Sequence, residues 1–225
     1  VNAHEMAYPD FKKALSLKPS GETALPYAAN LQILGKNAER LELLKAGSSK
    51  FPANPQLQRL LGDAYAGSGM QGLALKQYQD MLNRNPADFE TWYEHAILQE
   101  QMKDTAAAIL SLQKAYELPG VATYGLELAH LYAEQKNAKA LEICNQILKQ
   151  DSASLLIDPL FIKGIYFSNL KQYQKAIVQF DSCIQRDWKT TDAYLEKGIA
   201  WYHLQNYKAA INTFNMAVTV SNTDP

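Results

Sequence analysis

A chain of 225 residues with 47% hydrophobic content can bury a sizeable core, and no apolar run approaches the roughly 20 residues a membrane helix needs. Lys+Arg 22 against Asp+Glu 23 leaves a formal charge of -1, which lacks the basic footprint of a nucleic-acid binder. Two cysteines are too few for a disulfide framework.

Residues 1–21 read as the tail of a helical unit, with Phe11, Ala14, Leu15 and Leu17 ahead of Pro19. Proline costs about 3 kcal/mol inside a helix, so Pro9 places the helix start near Tyr8 or Pro9 and leaves residues 1–7 frayed. The first full unit, 22–54, opens at a cap on Thr23 beside Pro26, carries Ala29 mid-helix, and runs through Leu41 and Leu44 to Pro52. Unit 55–88 has Asn54 as cap and Pro55 at the first helical position, then Gly62, Tyr65, Ala74, Tyr78 and Met81. Unit 89–121 carries Trp92, Ala96, Ala108, Leu112 and Ala115, with Pro119 and Gly120 as its stop. Unit 122–156 has Ala129, Tyr132, Ala140, Cys144 and Ile147. Its hairpin at 135–138 reads one residue short, as does that at 35–38, and extra residues near Ser154 and Leu155 restore the phase. Unit 157–190 opens on Asp158 as cap with Pro159 behind it, and unit 191–224 follows a linker in which Trp188 is expected to cover the joint.

The last two units show the period openly. Gly198, Tyr207, Ala210, Phe214 and Ala217 return 34 residues earlier as Gly164, Tyr173, Ala176, Phe180 and Cys183. A fixed period of this length with helical spacing inside it marks a stacked-helix array. A mid-helix glycine costs about 1 kcal/mol relative to alanine, so Gly62, Gly164 and Gly198 imply another helix at very close range.

These residues resemble the tetratricopeptide repeat family in period and in the small–aromatic–small signature, over nearly the whole of residues 1–225. The resemblance implies an all-α fold, a right-handed α-solenoid of antiparallel helix pairs forming one array. It also implies a concave groove, lined by the first helix of each pair, that binds another protein or peptide. In that geometry Asp192, Leu195, Ile199 and Tyr202 face the groove, one residue on from the packed stripe Tyr194, Gly198 and Trp201. The equivalents are Asp158, Phe161, Ile165 and Ser168; Thr123, Leu126, His130 and Ala133; Glu90, Tyr93, Ile97 and Glu100; and Gln56, Arg59, Asp63 and Ala66. The C-terminal part is apolar through Phe161, Ile162, Ile165, Leu195, Ile199 and Tyr202, and the middle carries Glu90, Glu94, Glu100, Glu127 and Glu134. The expected ligand is a peptide or helix with apolar anchors and some basic residues.

One subfamily grips a terminal carboxylate with lysine, asparagine and arginine. Asn30 stands at one such place, but the neighbouring places are not basic and Arg59 alone is no clamp. Glu127, His130 and Glu134 share a helix face, yet that spacing is common on polar helices, and groove residues in solvent are the expected reading rather than a metal or acid–base site. His95, beside Trp92, reads as a packing histidine, and Cys144 and Cys183 as buried free thiols. No nucleophile or phosphate loop is assembled, so neither an enzyme nor a cofactor is expected. The alternative role is self-association, through a Phe214 and Val218 face left without a polar cap in the last unit. Unpaired cysteines suggest the cytoplasm, whereas a leader preceding Val1 would instead fit a bacterial envelope protein.

Overall fold

The computed structural model describes residues 3–117 and 122–222, and among them there are thirteen α-helices and no strand. They fall into two compact units, Val1–Leu118 and Pro119–Pro225. The first unit holds α1 (Ala3–Leu17), α2 (Gly21–Ile33), α3 (Asn37–Lys50), α4 (Pro55–Gly67), α5 (Gln71–Arg84), α6 (Phe89–Gln101) and α7 (Thr105–Glu117). The second holds α8 (Ala122–Glu134), α9 (Lys139–Gln150), α10 (Asp158–Asn169), α11 (Tyr173–Arg186), α12 (Thr191–His203) and α13 (Tyr207–Ser221). Within each unit every helix packs on the one that follows it, as expected of stacked hairpins.

Each hairpin turns on one residue in the left-handed region. Gly35, Gly69, Lys103, Lys136, Lys171 and Gln205 have φ between 57° and 74°. Each lies seven positions after a buried small residue in the first helix: Ala28, Gly62, Ala96, Ala129, Gly164 and Gly198. The three glycines meet aromatics of the second helix. A Cβ at Gly62 would stand 2.4 Å from the Tyr78 ring, at Gly164 2.3 Å from Phe180, and at Gly198 2.4 Å from Phe214. The second helix can approach only because no side chain intervenes.

Several local expectations need correction. Helix α1 begins at Ala3 and runs through Pro9. Its early turns are held from outside: Asn30 Nδ2 donates to the His4 carbonyl at 2.9 Å, and the Tyr8 hydroxyl donates to Glu39 at 2.9 Å. Helix α2 is capped by Ser20 rather than Thr23, whose hydroxyl instead accepts from the Ser20 N–H, so Pro26 lies within the helix. Ala28, not Ala29, is the packed mid-helix residue, and the hairpin at 35–38 is of ordinary length. Only the α8–α9 hairpin is short among the described ones: Ala140 is buried eleven positions after Ala129, where the others take twelve.

Asp158 is the first residue of α10 rather than its cap. The loop before it is tied by Asp151, which accepts from the Leu155 and Leu156 N–H groups at 3.0 Å each and from Arg186 at 2.9 Å. Ser154, with φ at 54°, marks the extra length in that loop. Asn54 does cap α4, accepting from Leu57 N at 3.1 Å. Trp188 is 55% exposed and does not cover the joint. The stop expected at Pro119 and Gly120 lies outside the described residues.

Candidate functional site

The expected groove residues divide between the two units. In the second, the first helices α8, α10 and α12 lie in sequence, α10 touching both of the others. Leu126, Glu127 and His130 of α8 meet Phe161 and Ile162 of α10 around a hollow of about 420 Å³, completed by Thr123 and Asp158. Ile162 is almost wholly buried and gives the hollow only an edge. Phe161 and Ile165 are half-buried on the core cluster of Leu160, Ala176, Phe180, Cys183 and Ala193, the Phe161 and Phe180 rings lying 5.6 Å apart. On α12 the apolar stripe is open: Leu195 is 41%, Ile199 42% and Tyr202 57% exposed. Helical spacing puts these three on one side, while Ala193, Tyr194 and Gly198 take the core.

Charge around this surface is acidic. Glu127 and Asp158 border the hollow, and His130 Nδ1 lies 3.8 Å from Glu134 Oε1. Glu196, on α12, has its carboxyl pushed up by burial and then by Asp192. Among the described residues no group of three His, Cys, Asp or Glu could hold a metal ion.

In the first unit one acid of the expected groove is committed. Glu90, at the start of α6, pairs with Arg59 of α4, and Arg59 also holds both oxygens of Asp88, at 3.0 and 3.1 Å. Glu94 is half-buried, and burial followed by the nearby Asp63 pushes its carboxyl upward. Tyr93 and Ile97 are half-buried on the same helix. Charge counted along α6 in sequence therefore overstates what a ligand would meet, because Glu90 is paired with Arg59, 31 residues earlier on another helix. Asn30 is buried and engaged with His4, which removes it from any terminal-carboxylate role.

His95 is buried, its Nδ1 3.0 Å from Ser111 Oγ, and Ser111 donates onward to Gln99 at 2.8 Å. Burial pulls its imidazole below the ordinary value. Cys144 and Cys183 are free and buried, and burial pushes both thiols up to about 12. Such thiols are inert packing groups. On α13, Phe214 packs against Gly198 and is only partly exposed, whereas Tyr207, Ile211 and Val218 are exposed along one side.

Rows of antiparallel helix hairpins, turned by one left-handed residue each and closed on small residues, define an α-solenoid. Residues 89–120 match the tetratricopeptide repeat model, and the chain has the tetratricopeptide-repeat fold. A tetratricopeptide repeat protein from Parabacteroides merdae superposes with a TM-score of 0.77 at 19% identity, covering 88% of this chain and 78% of its own. The C-terminal part of a TPR repeat-containing protein from Cytophaga hutchinsonii gives 0.68 at 15% identity, over 87% and 78%. YrrB, described as a TPR protein with an unusual peptide-binding site, gives 0.61 at 14% identity, over 82% and 95%. At these identities the likeness is one of fold alone. No curated protein matches the sequence.

Proposed function

We propose that this protein is a non-catalytic interaction scaffold that holds a peptide or helix of another protein against α8, α10 and α12. The observation that carries the reading is the open row Leu195, Ile199 and Tyr202 beside the hollow at Phe161. Exposed contiguous apolar surface of this kind marks interaction sites. Glu127 and Asp158 at the rim favour basic residues next to the ligand's apolar anchors. The scaffold role of the fold, and the peptide-binding site named for YrrB, support the same reading.

The test uses Leu195→Asp and Ile199→Asp, because both side chains are open, whereas Phe161 and Ile165 also serve the core. A fluorescent amphipathic Leu/Lys helical peptide should bind the wild type more tightly than its Leu/Glu counterpart. Both substitutions should abolish that binding while leaving circular dichroism unchanged. Equal binding by the variants would remove α12 from the site.

A second reading, self-association, is favoured by the exposed Tyr207, Ile211 and Val218 on α13. Light scattering over a concentration series should then show a dimer that Ile211→Lys dissociates. A monomer at every concentration would end it.

A further inference from the structure

The α2–α3 hairpin differs from its neighbours at one buried position. Twelve residues after the mid-helix small residue, four other hairpins carry a buried alanine: Ala74, Ala108, Ala176 and Ala210. Counted from Ala28, the same position in α3 is Arg40. The following landmark agrees, since Leu44 is buried sixteen after Ala28 as Tyr78 is after Gly62. A long cation thus stands where packing elsewhere admits one methyl group.

Arg40 is only 7% exposed. Its side chain forms part of the lining of a hollow of about 220 Å³, together with Gln32, Asn37, Asp63, Ala64, Gly67 and Ser68. Among the described residues it is in no ion pair within 4.0 Å, and its Nε has no hydrogen-bond partner. The contrast with Arg59 and Arg186 is plain, as each of those is held by carboxylates. Asp63 is near enough for its charge to be felt by Arg40, but it accepts instead from the Tyr78 hydroxyl at 2.6 Å. Burial of a cation with only the more distant Asp63 charge to offset it is unfavourable, and an anion entering the hollow would relieve that cost.

The donors fit a carboxylate. A guanidinium matches it in a two-point fork, and the Gln32 and Asn37 amides and the Ser68 hydroxyl supply further N–H and O–H groups around the same hollow. Asp63 in the wall repels a phosphate dianion more than a singly charged carboxylate. The space suits one acidic side chain and is too small for a nucleotide. We infer that this hollow is a binding site for a single Asp or Glu side chain of a partner peptide, held by Arg40 with Gln32 and Asn37. The site lies wholly in the first unit and does not rest on the α8–α10–α12 reading.

Nuclear magnetic resonance tests it on the whole chain, with N-acetyl-glutamic acid α-amide as probe, its glutamine analogue as neutral control, and inorganic phosphate as the competing source of negative charge. The expected result is a saturable shift of the Arg40 Nε–H signal and of the Gln32 and Asn37 side-chain amides by the acidic probe alone. Arg40→Ala restores the residue that the other hairpins use, so it should fold, and it should weaken the probe by roughly thirtyfold or more. No saturable shift in the wild type, or an equal shift by the glutamine analogue, overturns the assignment without recourse to any variant. Tighter binding of phosphate than of the acidic probe overturns it in favour of a phosphate site.

Discussion

Gly164 and Phe180 are fitted to each other across the α10–α11 hairpin, and a Cβ on the glycine would lie 2.3 Å from the ring. Gly198 and Phe214 repeat the arrangement at 2.4 Å, but the two phenylalanines differ in freedom. Phe180 is fully buried, whereas Phe214 is half-exposed and can tilt outward. Alanine gains about 1 kcal/mol of helix propensity over glycine, and overpacking costs about 1–3 kcal/mol. Gly164→Ala should therefore lose up to about 2 kcal/mol in urea unfolding, while Gly198→Ala stays near neutral. Equal effects at the two sites would show that ring mobility does not decide the outcome.

The His95 imidazole supplies a pH dependence of known sign. Burial depresses its folded pKa below the ordinary 6.5, so on acidification the unfolded chain takes up the proton first. Its contribution is intact above that value and is lost as pH falls from there toward the folded pKa. His95→Leu removes the titration and leaves Ser111 donating to Gln99. Between about pH 7.5 and about pH 5.5 the wild type should lose more Tm than the leucine variant. Parallel curves would assign the acid sensitivity to other groups.

Much of the fold was legible because it repeats. The glycine–aromatic pairs at 164/180 and 198/214 need only a 34-residue shift to be seen. What was missed lies where two neighbouring residues fit the same pattern or where tertiary contacts overrule local preference. Ala28 and Ala29 are equivalent as sequence, and only Gly35 in the left-handed turn fixes the phase. Taking Ala29 hid Arg40 at the alanine position. Pro9 argued for a late helix start, which the bonds that α1 makes with Asn30 and Glu39 override. At the candidate site the apolar row on α12 follows from helical spacing. The neutralisation of Glu90 by Arg59 does not, since it joins different helices.

Helix α1 has no fully buried residue and contains Pro9, so its order depends on side contacts. Glu39 accepts from Tyr27 at 2.6 Å and from Tyr8 at 2.9 Å, and Tyr8 lies 5.9 Å from the Tyr27 ring. The Tyr27 hydrogen bond leads the effects that hold the Glu39 carboxyl below its ordinary range. Hydrogen bonds to a charged group contribute about 1.5–3 kcal/mol. Glu39→Ala should speed amide exchange of Phe11 and Leu15 by about tenfold or more, with α5 and α6 unchanged. Unaltered exchange in α1 would mean that apolar contacts suffice to hold it.

The loop between α9 and α10 hangs on one carboxylate. Burial opposes charge on Asp151, but the Leu156 and Leu155 N–H groups and the Arg186 guanidinium outweigh it and hold the carboxyl below the ordinary 3.8. A depressed folded pKa gives stability that is present above the unfolded value and lost as pH falls through the folded one. Arg186 also donates to the Leu156 carbonyl at 2.5 Å, so its removal strips two acceptors at once. Arg186→Ala should lower the urea midpoint more than Asp151→Asn, since the amide keeps an oxygen for one backbone N–H. The double variant should cost less than the two single losses added together, as groups in one network do. Additive losses would show that the loop is fixed by its apolar residues, with Asp151 and Arg186 acting independently.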